Sequence, residues 1–430
     1  MKRKPLMLGF ALLIAMMNVG CSKDSAGSKD SGKTEIVSND PVTLLVYLQA
    51  AVSEEDFKLL FTDPVKKKYP NITLEAIRPK TGTKLADLIT AGTIPDLIAA
   101  PNADIWAFNT LDLLYDITPL AQARKVDLNR FEPATLEAVK SDKGELWALP
   151  YAMEFNTMYY NKDIFDKFGI AYPKDGMTWD ETIELAKKVT RDVDGVLYRG
   201  LDVVNSNIMG FPFALSYVNG VTNKANINND QWRKIFDLTK QIQTIPGNEP
   251  PSPEPSTSVV ANYFVKDRNV AMVVSPNLMK YFGESATGLN WDIAQYPSHK
   301  DKPNVSGKVD AHVLTITKPS KHKEDAMKVL EVLTSDEVQL LNVKNTSRIS
   351  PLKNPEMQKQ YGADMPFLKG KNTQAIFKSK VVAPPVYSPY ESDGSKIGKQ
   401  KYKDYMTGLI DANTALRQAE DEINKVLATK

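Results

Sequence analysis

Several groups of side chains in this chain stand at spacings that invite a chemical reading. Gly27-Ser-Lys-Asp-Ser-Gly-Lys-Thr34 matches a phosphate-binding loop letter for letter, with Lys33 and Thr34 where the phosphate and magnesium residues would stand. Such a loop needs a strand before it and a helix after it whose N-terminal amides face the anion. Here a tether-like Gly, Ser and Lys stretch surrounds it and Pro41 blocks helix growth downstream, so chance composition explains the match and an NTPase is rejected. His299, His312 and His322 are not at zinc-motif spacing. Gly283-Glu-Ser-Ala-Thr-Gly288 misses the nucleophile elbow by one residue, which leaves Ser285 as a turn serine. Asp192-Val-Asp-Gly195 starts like a calcium loop without its later ligands, and a hairpin turn is expected instead. One reaction class survives: two carboxylates acting on a glycosidic bond, with Glu154 and Asp104 the first pair to consider. No metal and no cofactor is expected.

The 430 residues are 42% hydrophobic and 25% charged, ordinary globular composition with enough apolar material for two domains. The first twenty read as an export signal: Lys2-Arg-Lys4 is the basic region, Leu6 to Val19 the apolar core, and Gly20 precedes Cys21. That core is too short to span a bilayer comfortably. Cys21 is the only cysteine, so no intrachain disulfide can form, and its place behind the signal resembles a bacterial lipobox, with Asn18 departing from the usual Leu. Lipid attachment at Cys21, extracytoplasmic anchoring to the cell membrane and a flexible tether over residues 21–40 follow as expectations. The tether's roughly nineteen residues would span about 25 Å as a coil. Removing Lys2, Arg3 and Lys4 takes the formal charge from +2 to about −1. A near-neutral chain whose longest basic run is Lys66-Lys-Lys68, read as a solvated helix face, gives no support to a nucleic-acid partner.

From Pro41 onward, strand and helix patterns alternate. Thr43 to Leu48 is a continuous apolar run suited to a buried strand, and Ser53-Glu-Glu-Asp56 opens a helix that Asp63-Pro64 is expected to interrupt. Ile72 to Ile77 alternates like a half-buried strand, Leu85 to Ala91 is helical, and Asp96 to Ala100 is another strand, which together imply an open, mostly parallel sheet. Thr178-Trp-Asp-Glu181 is a capping box before a helix to Val189; Val270 to Val274 and Val313 to Thr317 are strands; Ala326 to Leu333 carries a helical stripe. Leu409, Ala412, Leu416, Ala419, Ile423 and Val426 lie on one face of a final helix. The proline-rich stretch from Pro246 to Ser258 reads as a surface loop rather than a linker.

The segment Leu146-Trp-Ala-Leu-Pro-Tyr-Ala-Met-Glu-Phe-Asn-Thr-Met-Tyr-Tyr-Asn-Lys-Asp163, followed by Ile164 to Ile170, Pro173 and Thr178 to Glu181, resembles the signature of the bacterial extracellular solute-binding proteins, family 1, of ABC importers, the group that includes maltose-binding protein. Pro95 to Ile98 with Leu113 to Pro119, Phe264 to Met272, Ile316 to Pro319 and Thr334 to Gln339 resemble later family segments in the same order, so the likeness covers nearly the whole mature chain. It implies an α/β fold of two periplasmic-binding-protein-like lobes (type II), each discontinuous: residues 41–152 with 298–346, and 153–297 with 347–430. Three hinge crossings are implied near Ala152 to Asn156, Trp291 to Pro297 and Lys344 to Pro351. It further implies capture of a sugar or oligosaccharide without chemistry on it, a membrane permease as partner, and action as a monomer.

Ligands of parallel sheets sit beyond the carboxyl ends of strands, which selects Gln49, Asn102, Asp104, Ser275 and Asn277 without reference to the family. The resemblance adds Glu154 as a carboxylate for solute hydroxyls, Asn156 in the first crossing, and Phe211 and Phe213 as sugar-stacking candidates, with core packing their alternative. Trp291, Asp310, His312 and Arg348 lie near the second and third crossings; the last three would suit a more polar or acidic saccharide. Trp106 and Trp291 are expected to report closure optically, whereas Trp147 and Trp179 read as structural. Ser275-Pro-Asn277 stands where maltodextrin binders resemble Gly-x-Trp, and the C-terminal region offers Tyr387 and Tyr390 but no Trp, which argues against maltose-like recognition.

Overall fold

The computed structural model describes residues 40–50, 52–282 and 286–430. Cys21, the loop from Gly27 to Thr34, the tether before Asp40 and Ser285 lie outside the described residues. Twelve strands are present among those described: β1 Val42–Leu48, β2 Ile72–Ile77, β3 Leu97–Pro101, β4 Leu149–Met153, β5 Asn156–Asn161, β6 Arg191–Val193, β7 Val196–Val203, β8 Val270–Pro276, β9 Trp291–Ala294, β10 Val305–Lys308, β11 Ala311–Ile316 and β12 Lys380–Val382. They form a five-stranded sheet of order β2-β1-β3-β11-β4, a second of order β6-β7-β8-β5-β9, and a two-stranded ribbon of β10 and β12.

The apolar runs explain the central strands, since β3, β4 and β11 are buried on both faces and read as largely apolar stretches, with His312 and Thr315 the polar members of β11. The sheets are less parallel than the helix and strand alternation suggests. β1 is parallel to β2 and β3, but β11 runs antiparallel to both β3 and β4. In the second sheet β7 and β8 are parallel while β5 opposes both β8 and β9. Each reversed strand enters its sheet directly from a different one: β5 follows β4 of the first sheet after Glu154 and Phe155, and β11 follows β10 of the two-stranded ribbon after Val309 and Asp310. Each sheet therefore takes strands from separated stretches of sequence, the two-lobe arrangement that the resemblance implies.

Local signals behave as capping chemistry dictates. Thr178 and Glu181 close a reciprocal capping box ahead of helix Trp179–Val189. Asp192 to Gly195 is a hairpin turn joining β6 to β7, with Asp194 and Gly195 at positive φ and the Asp192 carboxylate accepting from the Gly195 N–H. One expectation fails. Pro64 does not end its helix: the path runs from Glu54 to Lys68, because the turn Lys58–Thr62 widens to π spacing and places Pro64 in the first turn of the resumed α segment, where no N–H is needed. The final helix runs over Ala412–Leu427, capped by Asp411, and carries the whole C-terminal stripe except its first member, Leu409, which is exposed in the turn after helix Glu391–Met406.

Helix Trp179–Val189 lies so close to β7 that a Cβ at Gly200 would sit 2.2 Å from the Ala186 carbonyl oxygen. Gly200→Ala is therefore expected to lower unfolding stability by about 1–3 kcal/mol, the cost of overpacking against backbone. Chemical denaturation reads this directly, and an unchanged midpoint would refute the close approach.

Candidate functional site

The crossings meet around one buried carboxylate. The Met153 and Ile349 backbones exchange hydrogen bonds of 2.8 and 3.0 Å, and the Glu154 N–H donates to the Asp310 carbonyl at 2.9 Å, so the first crossing is tied to both others. Glu154, only 7% exposed, has Oε1 at 3.8 Å from each of Lys280 Nζ, Arg348 Nε and His312 Nε2. Arg348 Nη1 also donates to Asp56 Oδ2 at 2.8 Å, carrying the network into the first lobe, while Lys280 belongs to the second. Desolvation pushes His312 down to about 4, against the opposing pull of Glu154, so the ring is neutral near pH 7 and the lasting ion pairs of Glu154 are with Arg348 and Lys280.

Beside this cluster a cavity of about 340 Å³ opens between the lobes. From the first lobe come Asn102 and Asp104, in the turn that follows β3. The Asn102 Oδ1 accepts from the Ala311 N–H at 2.9 Å, which fixes the side chain, and its buried Nδ2 has no hydrogen-bond partner among the described residues. Gln49 Nε2 donates to Asp104 Oδ2 at 2.6 Å, and burial raises the Asp104 carboxyl despite that bond. Asp310 joins them from the second crossing; desolvation, with Glu154 next in effect, pushes it up to about 6.

The opposite wall holds Phe211, Lys308, Tyr387 and Glu391. Lys308, 6% exposed at the end of β10, places its ammonium 4.5 Å from the Phe211 ring centre and 4.9 Å from that of Tyr387. Its hydrogen bond to the Leu215 carbonyl is long, 3.4 Å, and burial lowers it to about 8. Glu391 accepts from the Tyr217 and Val218 N–H groups, both at 2.9 Å, and so ties the Tyr387 segment to the loop opposite.

Seen residue by residue, the structure brings Asn102, Asp104, Phe211 and Asp310 to the cavity, with Gln49 behind Asp104. Glu154, His312 and Arg348 form the adjoining cluster instead of its wall. Asn156 spends its Nδ2 on the Ser306 carbonyl at 3.0 Å, whereas Ser275 is buried beside it on β8. Asn277 is a structural residue, donating to Ser347 O at 2.8 Å and accepting from the Met279 N–H, so it pins the third crossing. Two further placements differ from expectation. Phe213 packs on His299 at 4.7 Å, turned away from Phe211 because the intervening turn reverses side-chain direction. Trp291 is 2% exposed in the core, edge-on to Phe282 at 4.7 Å, because the chain passes between sheets at residues 295–310, beyond β9. Lys308 and Glu391 escape sequence reasoning: both lie far from any strand end that follows an apolar run, and only tertiary pairing of β10 with β12 brings Lys308 to the cleft.

The profile of the bacterial extracellular solute-binding protein family matches residues 43–340. The chain belongs to this family. A binding protein of Brucella abortus is 26% identical over 259 residues, 57% of this chain and 62% of that protein, so the match leaves more than a third of the relative's length uncovered. A maltooligosaccharide ABC transporter solute-binding lipoprotein of Streptococcus pneumoniae is 27% identical over 164 residues, 36% of this chain and 35% of the relative. Among solved structures, an ABC substrate-binding protein of Listeria monocytogenes in complex with cycloalternan superposes with a TM-score of 0.73 at 20% identity, covering 90% of this chain and all of the other. That likeness establishes the two-lobe fold.

His312 has a testable linkage. Its folded pKa of about 4 lies below the ordinary 6.5, so its neutral, buried state contributes stability that is fully present above pH 6.5 and lost as pH falls through 4. Asp310, raised to about 6, acts with the opposite sign, so the two must be separated by difference. The stability of the wild type relative to His312→Gln is expected to grow from pH 4 to 6.5 by up to roughly 3 kcal/mol. A flat difference across that window would contradict the burial.

Proposed function

We propose that the protein captures a sugar or oligosaccharide between its lobes and delivers it, chemically unaltered, to an ABC permease. The observation that carries this reading is the cavity itself: both lobes contribute to it, and it combines spare donors and acceptors with two aromatic faces. Hydroxyl groups suit that mixture. Asp104 and Asp310 accept from sugar O–H groups, Asn102 Nδ2 and the Lys308 ammonium donate to sugar oxygens, and Phe211 and Tyr387 offer surfaces for C–H faces. Three carboxylates against one ammonium disfavour an anionic ligand. The Listeria neighbour with its cycloalternan and the maltooligosaccharide-binding relative from Streptococcus lend the sugar reading weight.

In this account the lobes are residues 41–152 with 298–346 and 153–297 with 347–430, the segment 298–310 leading from one to the other. Ligand touching both walls favours the closed arrangement by its differential contacts, and closure presents the surface a permease recognises. The protein acts as a monomer, tethered by lipid on Cys21 at the outer face of the membrane; the basic, apolar, Gly-Cys order and the lipoprotein relative support that anchor. The carboxylate-pair hydrolase has weaker support, because Glu154 is engaged by Arg348 and Lys280 and is not among the residues lining the cavity that holds Asp104.

A thermal-shift screen of the mature protein against oligosaccharides, with amino acids and peptides as controls, is expected to yield a sugar that raises the melting temperature. The same sugar is expected to compact the particle in solution scattering and to be recovered intact. Asp310→Asn should weaken binding at least about tenfold, the loss of one charge-assisted hydrogen bond. Binding without compaction, or a cleaved sugar, would overturn the reading.

A further inference from the structure

The polar cavity carries more acid than base. Asp104, Asp310, Glu391 and Lys308 are the charged residues of its lining, three carboxylates against one ammonium, and none of the four forms an ion pair with another described residue. Two of the carboxylates are otherwise satisfied. Glu391 accepts from the Tyr217 and Val218 N–H groups, both at 2.9 Å, and Asp104 accepts from Gln49 Nε2 at 2.6 Å. Asp310 differs. Its backbone carbonyl takes the Glu154 N–H, but its carboxylate accepts no hydrogen bond from any described residue.

The ammonium opposite does not meet that need. Lys308 Nζ rests on the Phe211 and Tyr387 rings, and its hydrogen bond goes to the Leu215 carbonyl at 3.4 Å. With Glu391 on the same wall, that side balances one cation with one anion, so the acidic excess of the cavity lies at Asp104 and Asp310. Desolvation raises the Asp310 carboxyl to about 6, and Glu154, whose own cations are Lys280 and Arg348, adds like-charge repulsion. A buried carboxylate without counter-charge is costly, and a cleft with low-dielectric walls focuses its potential on whatever enters.

We propose that the ligand brings the missing charge: a protonated amino group bound by the Asp310 and Asp104 carboxylates, which makes the protein select amino sugars with a free amine over their neutral counterparts. The proposal rests on the sugar-capture reading above. A hydroxyl would give Asp310 a hydrogen bond yet leave its charge uncompensated, whereas an ammonium supplies both the donor and the charge. The rest of the cavity places that ammonium on a sugar. The Asn102 Nδ2, without a partner among the described residues, and the Lys308 ammonium need oxygen acceptors, which a simple alkylamine lacks and a sugar's hydroxyls and ring oxygen provide. Acetylation of the amine removes its charge, so an N-acetylated sugar counts among the neutral ones.

The test is calorimetric titration of the mature protein at about pH 6.5, below the ordinary range of an amino group. The probes are hexoses of gluco, galacto and manno configuration, their 2-amino-2-deoxy and 2-acetamido counterparts, and short linear oligomers of the gluco set. In the configuration that binds, the free amine is expected to bind roughly tenfold or more tighter than the hydroxyl and acetamido forms of the same length. Asp310→Asn should bring the amine and hydroxyl affinities to within about threefold of each other, whereas loss of a residue that merely shapes the wall would weaken both alike. Asp104→Asn is the second variant, which keeps the proposal open to refutation if the first does not fold, and it should reduce the same ratio. Neutral sugars bound as tightly as their amino counterparts, or a preference that survives both substitutions, would overturn the proposal while leaving sugar capture standing. Putrescine bound as tightly as the amino sugars would overturn the assignment of the ammonium to a sugar. Failure of every sugar to bind the folded protein would instead remove the sugar reading and this proposal with it.

Discussion

A carboxylate cannot be taken out of water without cationic company, and in this fold that requirement falls on Glu154 at the junction of the lobes. Arg348 and Lys280 supply the company from different parts of the chain, and Asp56 holds Arg348 in turn. Because the Glu154 N–H also bonds Asp310 and its neighbour Met153 pairs with Ile349, the three passages between the sheets are bound into one small bundle. A motion that changed the angle between the lobes would have to turn about this bundle. The side chains on each wall of the cleft would then move together with their sheet.

That constraint gives the cavity its chemistry. Burial at the junction raises Asp104 and Asp310 and lowers Lys308, so the groups facing the cleft are held under conditions where neighbours and ligands alter their charge readily. Lys308 is the clearest case: its ammonium rests on two aromatic rings with one long hydrogen bond, and a ligand oxygen would complete its coordination better than Leu215 does. The aromatic faces then become available to the rest of the ligand.

Much of the scaffold was legible in the amino-acid order, because it is written in short-range terms. Unbroken apolar runs located β1, β3 and β8, and the Thr178 capping box placed the following helix to the residue. The strand-end rule found Asn102 and Asp104 for the same reason: a polar turn after a buried strand has only the sheet's edge to occupy. What escaped depends on contacts distant in sequence. Pro64 is accommodated by a widened turn that no local pattern announces, and Trp291 looks like a surface reporter until Tyr159 and Phe282 close over it. Lys308 lies in a short strand whose partner comes some seventy residues later, so nothing near it reveals burial, and Phe213 differs from Phe211 only by the direction of one turn. The family resemblance singled out Glu154 as a carboxylate for solute hydroxyls, whereas its surroundings in the structure are those of a junction rather than of a cavity wall.

A crystal structure of the mature protein with the tightest-binding oligosaccharide tests the account most directly. The account requires an intact sugar contacting Asn102 and Asp104 on one side and Phe211 and Tyr387 on the other, with Glu154 still held by Arg348. A sugar bound elsewhere on the surface, or seated on one lobe with the opposite wall out of reach, would contradict it.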